Sequence, residues 1–468
     1  MGKIKYLLKN VGLLTISNFS TKILTFLLLP LYTSVLSTSD YGIYDLVNTS
    51  VSLLLPIVTL DIADSTIRFA LDKKRDPSEV LNISIFVSGI GVIIVCVLTL
   101  INQCFHIVDA IFQYPLYFIA LFTFSQTVNI LSGFARGIDK VKESSIGGAI
   151  GSGLTIILNV VFLVFFKLGL PGYFLATILG LAVQTIYLYF STKAFSYGFS
   201  LRNNNELLRE MTAYSRPLII NNIAWWINNA SDRYVVTYFC GISANGIYSV
   251  GYKIPTIINV LQSIFQQAWM LSAVKEYNEE DSRKFYSAVY TFYNLLLLSA
   301  CSVIILFNKT LALFLYKNEF FSAWQYVPFL SLGFIFIGLA NFLGGIFQAV
   351  KDSRIIATST VVGAIVNIVL DLVLTPMIGP IGAAIATCFS YMIVWVTRIV
   401  SINRYMHLDV KYIRDSFAYI IICIQCIVNI WIMPSYEFVY HLIAFVLILL
   451  LYSNDMMKVG RIIKHRNR

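Results

Sequence analysis

The feature that most restricts this chain is the length of its stretches without Asp, Glu, Lys or Arg. They cover residues 80–108, 110–135, 144–166, 168–192, 285–308, 320–350, 372–397 and 416–436. A helix crossing ~30 Å of hydrocarbon takes about 20 residues, and each stretch is that long. Interrupted stretches fill most of the remainder: 10–39 around Lys22, 41–67 around Asp45, Asp61 and Asp64, 217–252 around Asp232 and Arg233, 254–274, 355–370 and 438–454. Divided at Pro, Gly and polar turns, they predict fourteen spans, near 11–36, 41–67, 80–101, 114–136, 145–166, 171–192, 214–238, 243–271, 285–307, 325–350, 355–375, 380–402, 416–433 and 437–453. Barrel strands would alternate apolar and polar residues over ~10 positions, and these stretches do not. Only 12% of residues are charged, against about 25% in soluble domains, so a water-exposed fold is excluded.

The basic residues orient the spans. Counted over alternate loops and both tails, 28 of the 34 Lys and Arg fall on one side. Lys167, Lys309 and Lys317 fall on the other, and Lys22, Arg233 and Lys253 lie within spans. By the positive-inside rule both termini are cytoplasmic. The formal charge of +10 is therefore mainly an orientation signal, and a nucleic-acid partner is not expected. The N-terminal Lys-rich start and apolar stretch lack a small-residue cleavage site, so they read as the first retained span. The outer loops are too short for an appended domain. Cys423 and Cys426 form a C-x-x-C with no nearby His and read as small packing residues. No metal, nucleotide or Ser/His/Asp pattern is present in the sequence.

The chain repeats internally. Ser39-x-x-Gly42-Ile43-Tyr44-x-Leu46 matches Ser243-x-x-Gly246-Ile247-Tyr248-x-Val250 at an offset of 204. Gly169-x-x-Gly172-x-x-x-Ala176-Thr177 matches Gly379-x-x-Gly382-x-x-x-Ala386-Thr387 at an offset of 210. An offset of six spans gives parallel repeats: an N-terminal six-helix bundle at 1–192, a cytoplasmic linker at 193–213, a C-terminal bundle at 214–402, and two extra helices with a basic tail at 403–468. Paired bundles suit alternating access to a site near the midplane.

Ionisable groups inside spans cost at least ~2.5–3.5 kcal/mol near the centre, so they are expected to face a cavity or to pair. Lys22, Arg233 and Lys253 suit an anionic headgroup such as phosphate, although Arg233 and Lys253 would equally cap a span end or snorkel. Asp61, Asp64 and Arg68, at i, i+3 and i+7, share one helical face and read as a gate or a local ion pair, with Asp232 a further pairing group. Asp45 and Asp371 are lone carboxylates, each a candidate for a coupling proton or Na⁺, or for a hydrogen bond to a neighbour. Pro30, Pro56, Pro217 and Pro255 would kink the spans that carry these groups.

Lys9-Asn10, the run Phe26-Leu27-Leu28-Leu29-Pro30-Leu31-Tyr32-Thr33, Ser39-Asp40-Tyr41-Gly42-Ile43-Tyr44, the Asp232-Arg233 pair, Gly246-Ile247-Tyr248-Ser249-Val250 and Gly379-x-x-Gly382-Ala383-Ala384-x-Ala386-Thr387 together resemble the polysaccharide transport branch of the multidrug/oligosaccharidyl-lipid/polysaccharide (MOP) exporter superfamily. The chain is similar to the O-antigen (Wzx-type) flippases over nearly its whole length. The resemblance implies an all-α integral membrane fold of the MOP or MATE type, with two pseudo-repeated six-helix bundles plus two helices. It implies movement of undecaprenyl-pyrophosphate-linked polysaccharide repeat units (O-antigen, capsule or similar) across a bacterial cytoplasmic (inner) membrane. Lys22, Arg233 and Lys253 would meet the pyrophosphate and acidic sugars. No cofactor is implied beyond a proton or sodium gradient. Membrane lipids, the polysaccharide polymerase and chain-length machinery are the implied partners. A multidrug or metabolite exporter of the same superfamily is the alternative reading. An integral-membrane oligosaccharide polymerase is a weaker one, since the longest outer loop holds a single acid, Glu319.

Overall fold

The computed structural model describes residues 26, 28–197, 204–276, 282–350, 352, 354–432 and 436–466. Among them there are helices and no strand, and eleven helices are long and apolar enough to cross a membrane. The chain divides into two compact units, Met1–Trp226 and Ile227–Arg468.

Unit 1 begins, among the described residues, with α1 (Leu29–Val35) and α2 (Thr38–Val58). α2 starts where it does because Ser37 and Asp40 form a capping box. The Asp40 N–H donates to Ser37 Oγ at 3.0 Å and the Ser37 N–H to Asp40 Oδ2 at 3.2 Å, which satisfies two otherwise orphaned donors. The backbone turns left-handed at Leu60 and Asp61 (φ 51° and 52°). The stretch expected to be one span at 41–67 is therefore two helices, with α3 (Ile62–Ala70) following the break. Then come α4 (Pro77–Phe105), α5 (Asp109–Gln113), α6 (Pro115–Gly137), α7 (Val141–Val160, extended by a π-turn through Phe165) and α8 (Gly169–Ser191). The long helix α9 (Asn205–Cys240) enters the unit 1 core, where Leu207 and Met211 pack among Ile62, Val80, Ile130 and Phe134. Small residues set the closest helix approaches. A Cβ on Gly137 would lie 2.5 Å from that of Ala70.

Unit 2 takes the rest of α9, then α10 (Ile242–Gly251), α11 (Thr256–Glu276), α12 (Ser282–Leu306), α13 (Asn308–Leu315), α14 (Val327–Ala349), α15 (Arg354–Ile378), α16 (Pro380–Ile402), α17 (Tyr412–Ile427) and α18 (Glu437–Arg466). The span expected at 243–271 is broken between α10 and α11 in the turn that holds Pro255, where a proline cannot donate. α14 is the centre of the unit: 94% of its membrane-crossing stretch is buried, and it packs on α11, α12 and α16. α17 and α18 pack on α12 and are held by two polar clamps. In one, Asp415 accepts from Tyr452 at 2.6 Å and from Arg414 at 2.6 Å, while Asn294 donates to the Tyr452 hydroxyl at 2.9 Å. In the other, Asn308 donates to Asn429 at 2.8 Å, Asn429 to Glu437 at 2.7 Å, and Lys309 pairs with Glu437 at 2.7 Å.

The sequence repeat is visible in each unit. Both copies of the first motif open a helix, α2 and α10. Both copies of the second open a helix of 23 residues at a glycine of positive φ, Gly169 (59°) as the first residue of α8 and Gly379 (71°) immediately before α16. A side chain would strain either turn.

Candidate functional site

Polar side chains of unit 2, most of them buried, converge from α9, α10, α15 and α16. Asn229, Asp232 and Arg233 share one face of α9 through i, i+3 and i+4 spacing. Asn367 and Asp371 do the same on α15, and Thr387, Ser390 and Tyr391 on α16. Asp232 is 1% exposed. Its Oδ2 accepts the hydroxyls of Tyr248 at 2.7 Å, Tyr252 at 2.8 Å and Thr387 at 3.4 Å. Its Oδ1 accepts Arg233 Nη1 at 3.3 Å.

Asn367 bridges towards this group. Its Oδ1 accepts Ser231 at 3.2 Å and its Nδ2 donates to Thr387 at 3.5 Å. Tyr391 donates to Asn229 Oδ1 at 2.6 Å. Ser390 donates to Asn228 at 2.7 Å, and Asn228 in turn donates to the Thr360 carbonyl at 2.9 Å.

Asp371 stands apart. It is fully buried, and neither carboxylate oxygen has a hydrogen-bond partner among the described residues. Asp232 is its charged neighbour. An isolated ionised carboxylate in a low-dielectric interior is too costly to persist. The pair of acids therefore calls for a proton or a cation. The surrounding atoms, carboxylate, amide and hydroxyl oxygens, are the hard donors that suit H⁺ or an alkali cation. No cluster of three or more His, Cys, Asp or Glu with metal-ligand geometry occurs among the described residues.

The other expected site residues are placed as follows. Lys22 lies outside the described residues. The Arg233 guanidinium sits 4.8 Å over the Tyr252 ring and donates to the Asn229 carbonyl at 2.7 Å. It is thus held within the Asp232 cluster. Lys253 occupies the turn between α10 and α11, half-buried, and its carbonyl accepts the Thr256 hydroxyl at 2.6 Å. Asp45, half-buried in α2, has Tyr173 as an electrostatic neighbour.

At the other end of α2, Asp61 accepts from Asn222 Nδ2 at 3.0 Å. Because it lies at the left-handed break, helical spacing relates only Asp64 and Arg68. Both are exposed and no ion pair joins them among the described residues. Burial, then the nearby Asp64 charge, push the Asp61 carboxyl up to about 6.

Sequence reasoning missed Asn228, Asn367, Tyr248, Tyr252, Thr387, Ser390 and Tyr391, which are neutral. It also missed Arg398, grouped there with the basic loop 398–414. Arg398 is buried on α16. It donates to Ser359 at 2.9 Å, the Ala340 carbonyl at 2.8 Å and Thr360 at 3.1 Å. The N-x-x-x-D spacing of Asn367 and Asp371 was the available signal.

The repeat puts a related pair in unit 1. Tyr44 and Thr177, offset from Tyr248 and Thr387 by 204 and 210, bring their hydroxyl oxygens to 2.9 Å. They line a pocket of ≈ 220 Å³ with Leu28, Tyr32, Tyr173 and Gln184. The position 204 before Asp232 is Leu28, and that 210 before Asp371 is Val161. Unit 1 thus keeps the hydroxyl pair and lacks both carboxylates.

Helices of this number and apolarity, arranged in repeated units with a buried carboxylate site, define a multi-pass membrane transporter fold. The family model described as "Polysaccharide biosynthesis protein" matches residues 7–270, more than half the chain. The chain belongs to that family, the polysaccharide-transport type of the MOP superfamily. Models for MatE and for the lipid II flippase MurJ match residues 217–373 and 317–451.

An uncharacterized membrane protein of Methanocaldococcus jannaschii is 27% identical over 210 residues, 43% of this chain and 40% of that protein. The probable low-salt glycan biosynthesis flippase Agl15 of Haloferax volcanii is 24% identical over 190 residues, 40% of each chain. The chain thus matches about 40% of the length of these curated relatives. Among solved structures, the lipid II flippase MurJ in its inward closed conformation superposes with a TM-score of 0.70 at 14% identity, covering 95% of this chain and 99% of that one. That likeness is one of fold.

Proposed function

We propose that this protein is a cation-coupled flippase for lipid-linked oligosaccharide, working by alternating access of its two bundles. The single observation that carries the coupling is Asp371: a fully buried carboxylate without a hydrogen bond among the described residues, beside the multiply bonded Asp232. Membership of the polysaccharide biosynthesis family supports the substrate class, and the match to a lipid II flippase model supports lipid translocation over catalysis.

In this reading the substrate is an undecaprenyl-pyrophosphate-linked repeat unit of O-antigen, capsule or a similar polymer. It crosses a bacterial cytoplasmic membrane from the inner leaflet, where both termini of the chain lie. Lys22, Arg233 and Lys253 face its pyrophosphate and acidic sugars. Asp371 and Asp232 take the proton or Na⁺, and Asp61, Asp64 and Arg68 lie at the inner end. The bundles are 1–192 and 214–402 with the linker 193–213, and 403–468 is appended. Polymerase and chain-length proteins act on the product.

The MatE match across 217–373 contains both acids and favours a second reading, a drug or metabolite exporter using the same coupling site. Deleting the gene separates the two. A flippase leaves completed lipid-linked units on the cytoplasmic leaflet. An exporter leaves their distribution unchanged, and a polymerase leaves unpolymerised units outside.

A further inference from the structure

Unit 1 has a second concave feature at the end where its basic loops lie. A groove of ≈ 670 Å³ runs between the last turn of α2 with Leu60, one face of α4, and the first turns of α9. That volume is in the range of small-molecule sites, ~300–1,000 Å³. Ile57, Leu60, Ile90 and Ile94 line it at 38–43% exposure. From Phe86 to Ile94 it follows about 12 Å of helix.

On α2 and α4 the groove is lined by apolar side chains only. Its polar lining residues, Asn205, Arg209 and Thr212, all come from α9, brought together by i, i+4 and i+7 spacing. The neighbouring Arg75 is neutralised by Glu210 at 2.6 Å. The exposed Arg209 guanidinium has no side-chain partner among the described residues.

Resting on the flippase reading, we propose that this groove is the entry position of the substrate lipid, before it meets Lys22, Arg233 and Lys253: it holds the isoprenoid chain next to the pyrophosphate, with the pyrophosphate on Arg209 and Asn205. A guanidinium presents a fork of donors that matches phosphate oxygens, and the Asn205 amide supplies further donors, while the Thr212 hydroxyl is spent on the Leu208 carbonyl at 2.9 Å. A prenyl pyrophosphate joins its hydrocarbon directly to phosphate. A phospholipid places two polar ester groups between them. Here the lining passes from Arg209 and Asn205 on α9 to the apolar side chains of α2 and α4, Ile57 and Ile90 among them, with no polar side chain on those two helices for esters, and this matches the prenyl lipid. The groove is lined by unit 1 residues alone and shares none with the Asp232 cluster.

The test is photo-crosslinking of the full chain in phosphatidylcholine nanodiscs with a diazirine-bearing farnesyl diphosphate, read by peptide mapping. The expected result is labelling within 57–60 and 86–94. Labelling falls about tenfold in Arg209→Gln, as for loss of one charge-assisted contact, and is largely kept in Arg209→Lys. Ile90→Trp, which fills the groove but suits a lipid-facing wall, lowers it as well. Labelling elsewhere, indifference to Arg209→Gln, or equal displacement by phosphatidylglycerol overturns the groove assignment and leaves the flippase reading standing. No specific labelling anywhere in the wild-type protein overturns both.

Discussion

Asp371 and Asp232 are neighbouring acids inside unit 2, yet Asp232 accepts two tyrosine hydroxyls within 2.8 Å and Asp371 accepts nothing among the described residues. Asp232 is fixed in place by these bonds, and the proposed coupling role therefore falls on Asp371.

Asp371→Asn removes the exchangeable charge and keeps the shape. Gradient-driven translocation in proteoliposomes should fall tenfold or more, a barrier change of only ~1.4 kcal/mol. The thermal midpoint should hold or rise, because an unpaired buried acid is lost. Unaltered dependence on both proton and sodium gradients would remove Asp371 from coupling.

Asp232→Ala has a different signature. It strands the Tyr248 and Tyr252 hydroxyls, each costing ~1–3 kcal/mol when buried and unbonded. Unfolding in detergent should show a loss of about 2–5 kcal/mol, partly recovered by adding Tyr248→Phe and Tyr252→Phe. Absence of that recovery would mean the hydroxyls find other partners.

Arg398 ties α16 to α14 and α15 through the Ala340 carbonyl, Ser359 and Thr360. A lysine cannot reproduce a fork that reaches three acceptors. Arg398→Lys should therefore destabilise unit 2 by about 2–3 kcal/mol, despite keeping the charge. A drop below ~0.5 kcal/mol, the range of ordinary surface changes, would contradict the assignment.

Gly137→Ala would drive a Cβ to 2.5 Å from Ala70 Cβ. Overpacking of this kind costs ~1–3 kcal/mol. Ala70→Gly should restore most of it, because the other close atoms, the Ile67 and Thr66 carbonyls, stay at 3.3 and 3.4 Å. Non-additivity of the pair in thermal unfolding is the measurement.

Asp61 lies beyond the end of α2 with its carboxyl raised to about 6, against ~3.9 in an unfolded chain. The native state holds this proton more tightly. The contribution is fully present below about pH 4 and is lost as pH rises through 6. Asp61→Asn should flatten that part of the stability profile of the solubilised protein, and an unchanged slope between pH 4 and 6 would refute the assignment.

Much of this architecture was legible because charge is so costly in hydrocarbon that its absence marks each span. Asp232 and Arg233 were legible for the same reason. The left-handed break at Leu60–Asp61 was not, since nothing in Thr59-Leu60-Asp61-Ile62 forbids a continuous helix and tertiary packing decides it. The partners of Asp232 were hidden as well. Thr387 and Tyr248 are ordinary residues of apolar helices until folding brings α9, α10 and α16 together. Arg398 misled because a basic residue at a span end normally reads as loop, and only its buried acceptors reveal otherwise.

The clamps on α17 and α18 also set an order of events in biogenesis. Asn294 waits for Tyr452, 158 residues later, while Ser302 and Asn308 wait 123 and 121 residues for Gln425 and Asn429. At ~5–20 residues per second of synthesis, α12 sits in or beside the insertion machinery for roughly 8–30 s before Tyr452 emerges. During that interval the Asn294 amide lacks the Tyr452 hydroxyl that accepts from it in the folded chain, so the packing of α12 is completed only by the last helix.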